Sequence, residues 1–188
     1  LDPVDGSDNW SRRLPLSALS CAVLPVDAPL KPESVIASIV GSLDQEIPLV
    51  AQQASGAWQG EAQLQTSDVY CLADAMISIE LNHHAPALNL ARLMADARGI
   101  RSYGSAACAI TFVASGKTDA HLDSRARLTP ESYLAAAHLL LEAGGSITGL
   151  DGAPLPPASG LTDGISLIAA ANQALCGEIV ERLSHDGR

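Results

Sequence analysis

Aromatic side chains are scarce in this chain of 188 residues, of which Phe, Trp and Tyr together make up 3%. Hydrophobic residues nevertheless reach 47%, so the core has to be built from Ala, Leu, Val and Ile. An apolar run of transmembrane length is lacking, and so is a signal peptide. We therefore expect a cytoplasmic protein, long enough for one sizeable core with two lobes.

Basic residues are also few. The chain has 11 Lys and Arg residues against 21 Asp and Glu residues, which gives a net charge of −10. Because no basic stripe runs along the sequence, neither nucleic acid nor an anionic membrane surface is an expected partner. A phosphate-bearing small molecule is compatible with this charge if divalent metal ions neutralise its binding site.

Cysteine is limited to four positions without a C-x-x-C pair, namely Cys21, Cys71, Cys108 and Cys176. Each lies in an apolar setting, far from the others in the sequence. This distribution predicts free thiols in the core of a protein from a reducing compartment.

The first ten residues carry the most informative pattern of the chain. Asp2 and Asp5 flank Pro3, which fixes its own φ and favours an extended conformation at Asp2. Gly6 permits a tight, left-handed turn, and Ser7 is a good helix N-cap. A strand that runs into a helix here would direct both carboxylates, and the backbone N–H groups of Gly6 and Ser7, toward one point.

Two kinds of ligand suit such a point. Carboxylate and carbonyl oxygens bind a hard cation such as Mg²⁺, and an amide-lined helix N-terminus binds phosphate. The alternative is an N-capped turn with solvated acids, which is what most Asp-Gly-Ser sequences form. The pattern alone leaves both interpretations open.

Three segments together resemble the inositol monophosphatase family. Residues 2–9 (DPVDGSDN) resemble its D-P-[hydrophobic]-D-G-[T/S]-x-N motif, and residues 100–107 (IRSYGSAA) resemble its I-R-S-x-G-[S/T]-A-A segment. Residues 142–145 (EAGG) match its E-A-G-G signature. The order and spacing of the three are more specific than any one motif, and the resemblance covers essentially the whole chain.

The resemblance implies a layered α/β fold, the α/β/α/β/α sandwich of the family, as one phosphatase domain. Residues 1–82 would form a β-meander lobe that carries the metal and phosphate motif, and residues 83–188 a C-terminal α/β lobe. The family has a further stretch before its first motif, with two helices, a hairpin and a metal-binding Glu. Since this sequence begins at the first motif, we expect an N-terminally incomplete version of the sandwich.

Hydrophobic periodicity and turn residues agree with this architecture. Strands are predicted at residues 16–26, 35–43, 47–52, 75–81, 118–123, 146–148 and 166–171. Helices are predicted at residues 87–98 (with Gly99 as C-cap), 105–115, 130–143 and 173–183.

The resemblance also assigns catalytic roles to the first motif. Asp2 and Asp5 would bind Mg²⁺, with the backbone carbonyl of Val4 as a third oxygen ligand. Gly6 and Ser7 would hold the phosphate, and the Ser7 hydroxyl would help to orient the attacking water. Catalysis would depend on Asp2, Asp5 and Ser7 without a covalent intermediate, because Mg²⁺ lowers the pKa of that water and stabilises the leaving alkoxide.

The alcohol part of the substrate would contact Asp5 and a second group of residues. The positions that match backbone contacts to the alcohol are Gly104, Ser105 and Ala106. Asp123, at the end of a predicted strand, matches an acid that hydrogen-bonds a substrate hydroxyl. The alternative for Asp123 is an ion pair with Arg125 or Arg127.

One metal-binding position departs from the family pattern. The family places an Asp ten residues before the Glu of E-A-G-G, and here that position is Ser132. A hydroxyl is a far poorer ligand than a carboxylate for a hard dication. Glu131 is adjacent but lies about a quarter-turn away on the helix, so it could replace the carboxylate only through a register shift.

The histidines are not assigned to catalysis. His83 and His84 could suggest a metal site, but no acid or Cys lies at ligand spacing beside them, which favours loop or helix N-terminal residues. His138, in the middle of a predicted helix, is interpreted as structural.

We therefore predict Mg²⁺-dependent hydrolysis of a phosphomonoester of a small polyol or sugar by a metal-activated water. One alternative is a sugar phosphatase of the fructose-1,6-bisphosphatase type. Another is a truncated or degenerate, non-catalytic member of the family. The expected partners are a small-molecule phosphate and, in a homodimer, a second copy of the chain.

Overall fold

The computed structural model describes residues 1–83 and 85–184, and the first third of them forms an antiparallel sheet. Its strands follow one another in chain order. They are β1 (Asp2–Asp5), β2 (Ala18–Val23), β3 (Ala37–Ser42), β4 (Leu49–Gln52), β5 (Ala57–Gln59) and β6 (Ala62–Gln63). A short helix, α1 (Ser7–Ser11), connects β1 to β2.

A second, mixed sheet has the strand order β10-β11-β9-β7-β8. Its strands are β7 (Met76–Ile79), β8 (Gly99–Arg101), β9 (Ala120–Leu128), β10 (Ser146–Thr148) and β11 (Ile165–Ala170). Strand β7 runs parallel to both β8 and β9, and the remaining pairs are antiparallel. Strand β7 belongs to this sheet although it precedes residue 82. The division of the chain into two lobes at residue 82 stays a prediction.

Four longer helices cover the sheets. They are α2 (Leu88–Asp96), α3 (Ala106–Ala114), α4 (Pro130–Glu142) and α5 (Gln173–Ser184). Helices α3 and α4 pack against each other and against strands of both sheets, whereas α2 and α5 pack together beside the second sheet. The described residues are thus layered as sheet, helix pair, sheet and helix pair. None of the helices in residues 1–83 and 85–184 is long and apolar enough to cross a bilayer.

The middle helix pair explains how the core forms with so few aromatic residues. Alanines occupy most of the facing surfaces of α3 and α4, and they are fully or almost fully buried. Small side chains allow the two helices to approach each other and both sheets closely. The buried alanines of these helices are Ala106, Ala107, Ala109, Ala114, Ala135, Ala136 and Ala137.

The face of the first sheet that points away from α4 is apolar and partly exposed. Cross-strand pairing aligns Cys21, Ile39, Val50 and Trp58 in one row across β2 to β5. Val50 in the middle of this row is 39% exposed. We refer to these four residues as the outer row.

Local differences from the predicted elements have simple causes. Gly6, not Ser7, is the N-cap of α1, because its φ of 80° makes the left-handed turn out of β1. Gly99 is not the C-cap of α2; the chain leaves that helix in extended conformation at Ala97 and enters β8 at Gly99. All four cysteines are free as predicted, but only Cys108 and Cys176 lie in the core; Cys21 is partly buried and Cys71 is exposed.

Of the two adjacent histidines, His83 lies in an exposed turn, in agreement with its prediction as a loop residue. The prediction for His84 lies outside the described residues. His138 is buried in α4, where Nδ1 is 2.8 Å from the Ser38 hydroxyl of β3, so the structural interpretation is confirmed.

Candidate active site

Asp5, at the end of β1, is fixed by the start of α3. The Ser105 hydroxyl and the backbone N–H of Ala107, the latter at 2.9 Å, both donate hydrogen bonds to its Oδ2 atom. Burial raises the pKa of Asp5 to about 6, although these hydrogen bonds act in the opposite direction, and the charges of Asp2 and Glu80 raise it further. Burial and the nearby negative charges make Asp5 hold its proton more tightly. A bound cation would offset both effects and favour the ionised carboxylate.

Asp2, at the start of β1, is fixed by two different contacts. Its Oδ1 atom accepts a hydrogen bond of 3.1 Å from the backbone N–H of Val4. Its Oδ2 atom accepts one of 3.2 Å from the Ser132 hydroxyl. The first turn of α4 therefore meets β1 at the position where the resemblance places a metal ligand.

Gly6 makes the close approach between the first motif and α3 possible. A Cβ atom at Gly6 would lie 2.8 Å from the Leu16 carbonyl oxygen and 2.9 Å from the Ser105 Cβ. Together with its φ of 80°, this leaves no room for another residue type. The turn holds Asp5 against Ser105.

Asn9 ties the first motif to the loop before α3. Its Nδ2 group donates to the carbonyl oxygens of Leu16, at 2.9 Å, and Tyr103, at 2.6 Å. It also lies within 3.5 Å of the position that a Cβ would take at Gly104, whose φ is 67°. The Asn82 amide would lie 3.4 Å from the same Cβ, so two amide side chains contact this position.

Asp123 lies in the middle of β9 with its side chain fully buried, and both of its oxygens are bound by Arg125. Arg125 also lies 3.8 Å from Glu80, at the end of β7. The ion pair with Arg125 that the sequence left as an alternative for Asp123 is therefore present.

The structure brings most of the predicted site residues together. Asp5 contacts Ser105, and Asp2 contacts Ser132. Val4 lies between the two acids in β1, Gly6 follows the strand as the N-cap of α1, and Gly104 and Ala106 flank Ser105. Ser7 is exposed as the first residue of α1 and makes no side-chain hydrogen bond within the described part of the chain. The assigned roles of all these residues stay predictions.

Three residues at the site were given no role from the sequence. Asn9 is the last residue of the first motif, and its position in the motif is the sequence signal that points to a role at the site. Glu80 ends an alternating apolar strand, which is a common place for a functional acid. Arg125 was considered only as a partner of Asp123.

The donor set suits a hard divalent cation. Asp2 and Asp5 would supply carboxylates, and the Val4 carbonyl and the Ser132 hydroxyl, of which the latter lies beside Asp2, would supply neutral oxygens. No group of three or more His, Cys, Asp or Glu side chains poised for a metal occurs among residues 1–83 and 85–184. Mg²⁺ is often held by only one or two carboxylates together with waters and substrate phosphate, so these residues fit such an ion.

Comparisons with known proteins find relatives among named phosphatases. The inositol-1-monophosphatase of Bacillus subtilis is 31% identical over 159 residues, which cover 82% of this chain and 57% of that protein. The fructose-1,6-bisphosphatase/inositol-1-monophosphatase of Thermococcus kodakarensis is 24% identical over 189 residues, which cover 99% of this chain and 68% of that protein. The chain thus spans less than two thirds of the Bacillus relative.

Solved structures show the same fold. SaIMPase-II with bound inositol monophosphate superimposes with a TM-score of 0.81 at 26% identity, over 96% of this chain and 66% of that one. The extragenic suppressor protein suhB of Bartonella henselae gives a TM-score of 0.83 at 24% identity, over 98% and 69%. These matches confirm the predicted layered α/β fold.

The sequence profile that describes the inositol monophosphatase family matches residues 1–185. All three of the motifs quoted above lie within this range. The structure joins the first motif to the second through Asp5 and Ser105, whereas Glu142 of the third binds the backbone N–H groups of Ala54 and Gly56. The chain belongs to the inositol monophosphatase family.

Proposed function

We propose that this protein hydrolyses a phosphomonoester of a small polyol or sugar in a Mg²⁺-dependent reaction. The observation that carries the proposal is the convergence of Asp2 and Asp5, each held by the start of a different helix. The charge of Asp2 contributes to the raised pKa of Asp5, and two acids on one short strand attract a divalent cation. Family membership supports the reaction class, since relatives are named inositol-1-monophosphatase and the family uses divalent metal ions.

Binding is the first task of these residues. Asp2, Asp5, the Val4 carbonyl and the Ser132 hydroxyl would hold the cation. When bound, Mg²⁺ neutralises phosphate charge and makes water more acidic. The backbone N–H groups of Gly6 and Ser7 would orient the phosphate at the start of α1.

Proton control is the second task. Asp5 has to be a carboxylate to bind a cation, and its raised pKa of about 6 means that protons compete with the cation in mildly acidic solution. The Ser7 hydroxyl, exposed beside the motif, would orient the attacking water. Gly104, Ser105 and Ala106 would contact the alcohol part of the substrate through the loop that precedes α3.

A second candidate is a sugar phosphatase of the fructose-1,6-bisphosphatase type. The observation that favours it is the naming of relatives from Thermococcus kodakarensis and Methanothermobacter thermautotrophicus, which are described as having both activities. A non-catalytic member of the family is the third candidate. We further propose that the partners are a small-molecule phosphate and a second copy of the chain, in the cytoplasm.

The test is phosphate release from inositol 1-phosphate and fructose 1,6-bisphosphate, with and without Mg²⁺. The parent is expected to release phosphate only with Mg²⁺, and Asp5→Asn is expected to lose at least about a hundredfold in kcat/KM. Ordinary activity in that variant would overturn the assignment of the site. Absence of Mg²⁺-dependent hydrolysis of either substrate by the parent would favour the non-catalytic alternative.

A further inference from the structure

Strand β9 contains an unusual bulge next to the site. Asp123 pairs with Leu167 of β11, and the next pair joins Leu128 to Ile165. Four residues of β9, 124–127, therefore lie opposite the single residue Ser166. Bulges of this kind redirect side chains and are common beside active sites.

In the bulge, the backbone and the side chain of Arg125 both face Asp123 of the same strand. Ala126 takes a left-handed conformation with φ of 54°, and its N–H donates a hydrogen bond of 2.9 Å to the Ser166 hydroxyl. The backbone N–H of Arg125 donates at 3.0 Å to Oδ1 of Asp123. The direction of the Arg125 side chain is thus fixed by the backbone as well as by its ion pairs.

The Arg125 guanidinium is held by two acids. Its Nε and Nη2 groups donate to the two oxygens of Asp123 at 3.0 and 2.7 Å, and its Nη1 lies 3.8 Å from Glu80. Only 17% of its side chain is exposed. Burial disfavours the charged form, but the hydrogen bonds and charge of Asp123, followed by the charges of Glu80 and Asp5, raise the pKa of Arg125.

Arg125 also adjoins the loop that would bind the substrate alcohol. Its Nη1 group donates a long hydrogen bond of 3.4 Å to the carbonyl oxygen of Asn82. The Asn82 side chain in turn lies against Gly104, one residue before Ser105, which holds Asp5. A chain of contacts therefore runs from the guanidinium to the candidate cation ligand.

This arrangement changes what the site offers to a substrate. A free Asp123 carboxylate would accept a hydrogen bond from a hydroxyl group, but both of its oxygens are already used. Glu80 is a second acid beside Arg125, so the guanidinium reduces the charge of the two acids from two negative charges to one and weakens the repulsion of an anion. Arginine has five N–H donors in a planar fork; Asp123 uses two of them and the Asn82 carbonyl a third, so two remain for an anionic acceptor.

We propose that Arg125 determines specificity by favouring phosphomonoesters whose alcohol part carries an anionic group, a carboxylate or a second phosphate, over neutral polyol phosphates. This inference rests on the proposed phosphatase function. It deepens that function, since it names the substrate class that the site selects. The selection follows from the bulge, which places the Arg125 guanidinium against a carboxylate that would otherwise be free.

Two pairs of substrates that differ by a single group test the proposal. The first pair is 2-hydroxyethyl phosphate and carboxymethyl phosphate, and the second is fructose 1-phosphate and fructose 1,6-bisphosphate. In the full chain, Arg125→Gln should lower the kcat/KM ratio of the anionic to the neutral member about tenfold or more. The matched control is Arg127→Gln, which removes the same charge from an exposed position in the same bulge and should leave the ratio unchanged.

A second variant and a binding measurement keep the test decisive. Arg125→Gln leaves the buried Asp123 carboxylate without its partner, which destabilises the fold. The double variant Asp123→Asn/Arg125→Gln removes both charges of the pair and avoids this problem. Calorimetric binding of phosphonoacetate against 2-hydroxyethylphosphonate, with Mg²⁺ present, reads the preference without turnover. If the parent binds phosphonoacetate more tightly, a folded variant loses this preference and neither hydrolyses any substrate, the proposed function fails and the role of Arg125 stands. If a folded variant keeps the parent's preference in both measurements, the role of Arg125 is overturned.

Discussion

The Ser132 hydroxyl donates a hydrogen bond of 3.2 Å to Oδ2 of Asp2, a residue 130 positions earlier in the chain. It does so from the first turn of α4, where the helix dipole favours an anion. A cation at this oxygen of Asp2 would break the hydrogen bond from Ser132. Ser132 would then offer the cation a neutral hydroxyl oxygen in place of a carboxylate. We therefore expect one side of the candidate metal site to be weak.

Changing Ser132 to Asp should lower the Mg²⁺ requirement of the protein. The new carboxylate would lie beside Asp2, and a charged oxygen ligand binds a hard dication far more strongly than a hydroxyl. We expect the half-saturating Mg²⁺ concentration to fall about tenfold or more, which corresponds to about 1.4 kcal/mol. Calorimetric titration with Mg²⁺ and the Mg²⁺ dependence of phosphate release should both report it.

Glu131→Gln is the matched control for this change. The Glu131 backbone carbonyl accepts a hydrogen bond from the Ser20 hydroxyl, which fixes this turn of α4 against β2. Its Oε2 atom is buried and has no hydrogen-bond partner within the described residues. We expect little change in the Mg²⁺ titration. A higher Mg²⁺ requirement would mean that Glu131 is the ligand and that Ser132 is not at the metal.

Asp5→Asn should stabilise the metal-free protein at neutral pH. Burial raises the pKa of Asp5 in the folded protein from 3.8 to about 6, so ionisation of this group opposes folding. The penalty is absent below pH 4, grows as the pH rises to 6 and is complete above it, because the folded state binds the proton more tightly than the unfolded state does. With EDTA present at pH 7.5, we expect a gain on the order of 2 kcal/mol, which should disappear near pH 3.5.

The asparagine oxygen can still accept the hydrogen bonds from Ser105 and Ala107, so the fold of the loop should be kept. Asp8→Asn, at an exposed position in α1, removes the same charge and serves as control. Denaturant unfolding at several pH values is the measurement. A loss of stability at pH 7.5 in Asp5→Asn would show that the carboxylate is not penalised by burial.

His121 should make the protein less stable in acid. Burial lowers its pKa from 6.5 to about 4, although the nearby charge of Asp123 acts in the opposite direction. The contribution of neutral His121 is complete above pH 6.5 and is lost as the pH falls toward 4, because the unfolded state takes up the proton first. Its sign is opposite to that of Asp5 over nearly the same range, so the two partly cancel in the parent.

His121→Asn should therefore show a smaller loss of unfolding free energy between pH 6.5 and 4, by on the order of 2 to 3 kcal/mol. Asn can replace the ring nitrogen that faces the Ser78 hydroxyl at 2.9 Å. The control is His83→Asn, at an exposed turn with φ of 56°, which Asn tolerates well. An unchanged pH dependence in His121→Asn would show that the folded protein binds a proton at His121 as readily as the unfolded chain does.

The sequence was sufficient for elements whose signals are local. Pro130 at the first position of α4 and the alternating apolar residues of β3 and β4 predict these elements within a few residues. Gly99 was misread because a glycine after an apolar stripe is typical of a helix C-cap, but pairing of β8 with β7 requires an extended chain there. Tertiary pairing overrode the local signal.

The candidate site was predictable only where motifs carried it. Asp2 and Asp5 are close in sequence and both lie on β1, whereas Arg125 reaches the site through a bulge whose length depends on pairing with β11. No spacing rule in a single sequence reveals such a bulge. The contact between Ser132 and Asp2 was implied by the resemblance alone, because 130 residues separate them.

The outer row should make the chain self-associate. Cys21, Ile39, Val50 and Trp58 form a continuous apolar strip on one face of the first sheet, and Val50 is 39% exposed. Exposed apolar sheet surface favours association. Light scattering should show a mass that increases with concentration, and Val50→Lys should reduce it. Ala62→Lys adds the same charge on exposed β6, outside the row, and should not. A parent that stays monomeric would argue against this role of the row.

Gly6→Ala should destabilise the protein and disturb the site at the same time. A Cβ atom would meet the Leu16 carbonyl oxygen at 2.8 Å and the Ser105 Cβ at 2.9 Å, and Ala is also strained at a φ of 80°. The left-handed conformation and the overpacking together should cost on the order of 2 to 4 kcal/mol. Thermal unfolding should show a melting temperature lower by roughly 5 to 15 °C.

Gly160→Ala is the control for Gly6→Ala, because no heavy atom lies within 4 Å of its added Cβ and its φ is not in the left-handed region. Its effect on stability should stay within about 0.5 kcal/mol. Since the new methyl group at Gly6 would push Ser105 away from Asp5, Mg²⁺ binding by Gly6→Ala should weaken even at temperatures where the variant is fully folded. If Gly6→Ala melts like the parent and binds Mg²⁺ equally well, the turn is not the element that holds Asp5 in place.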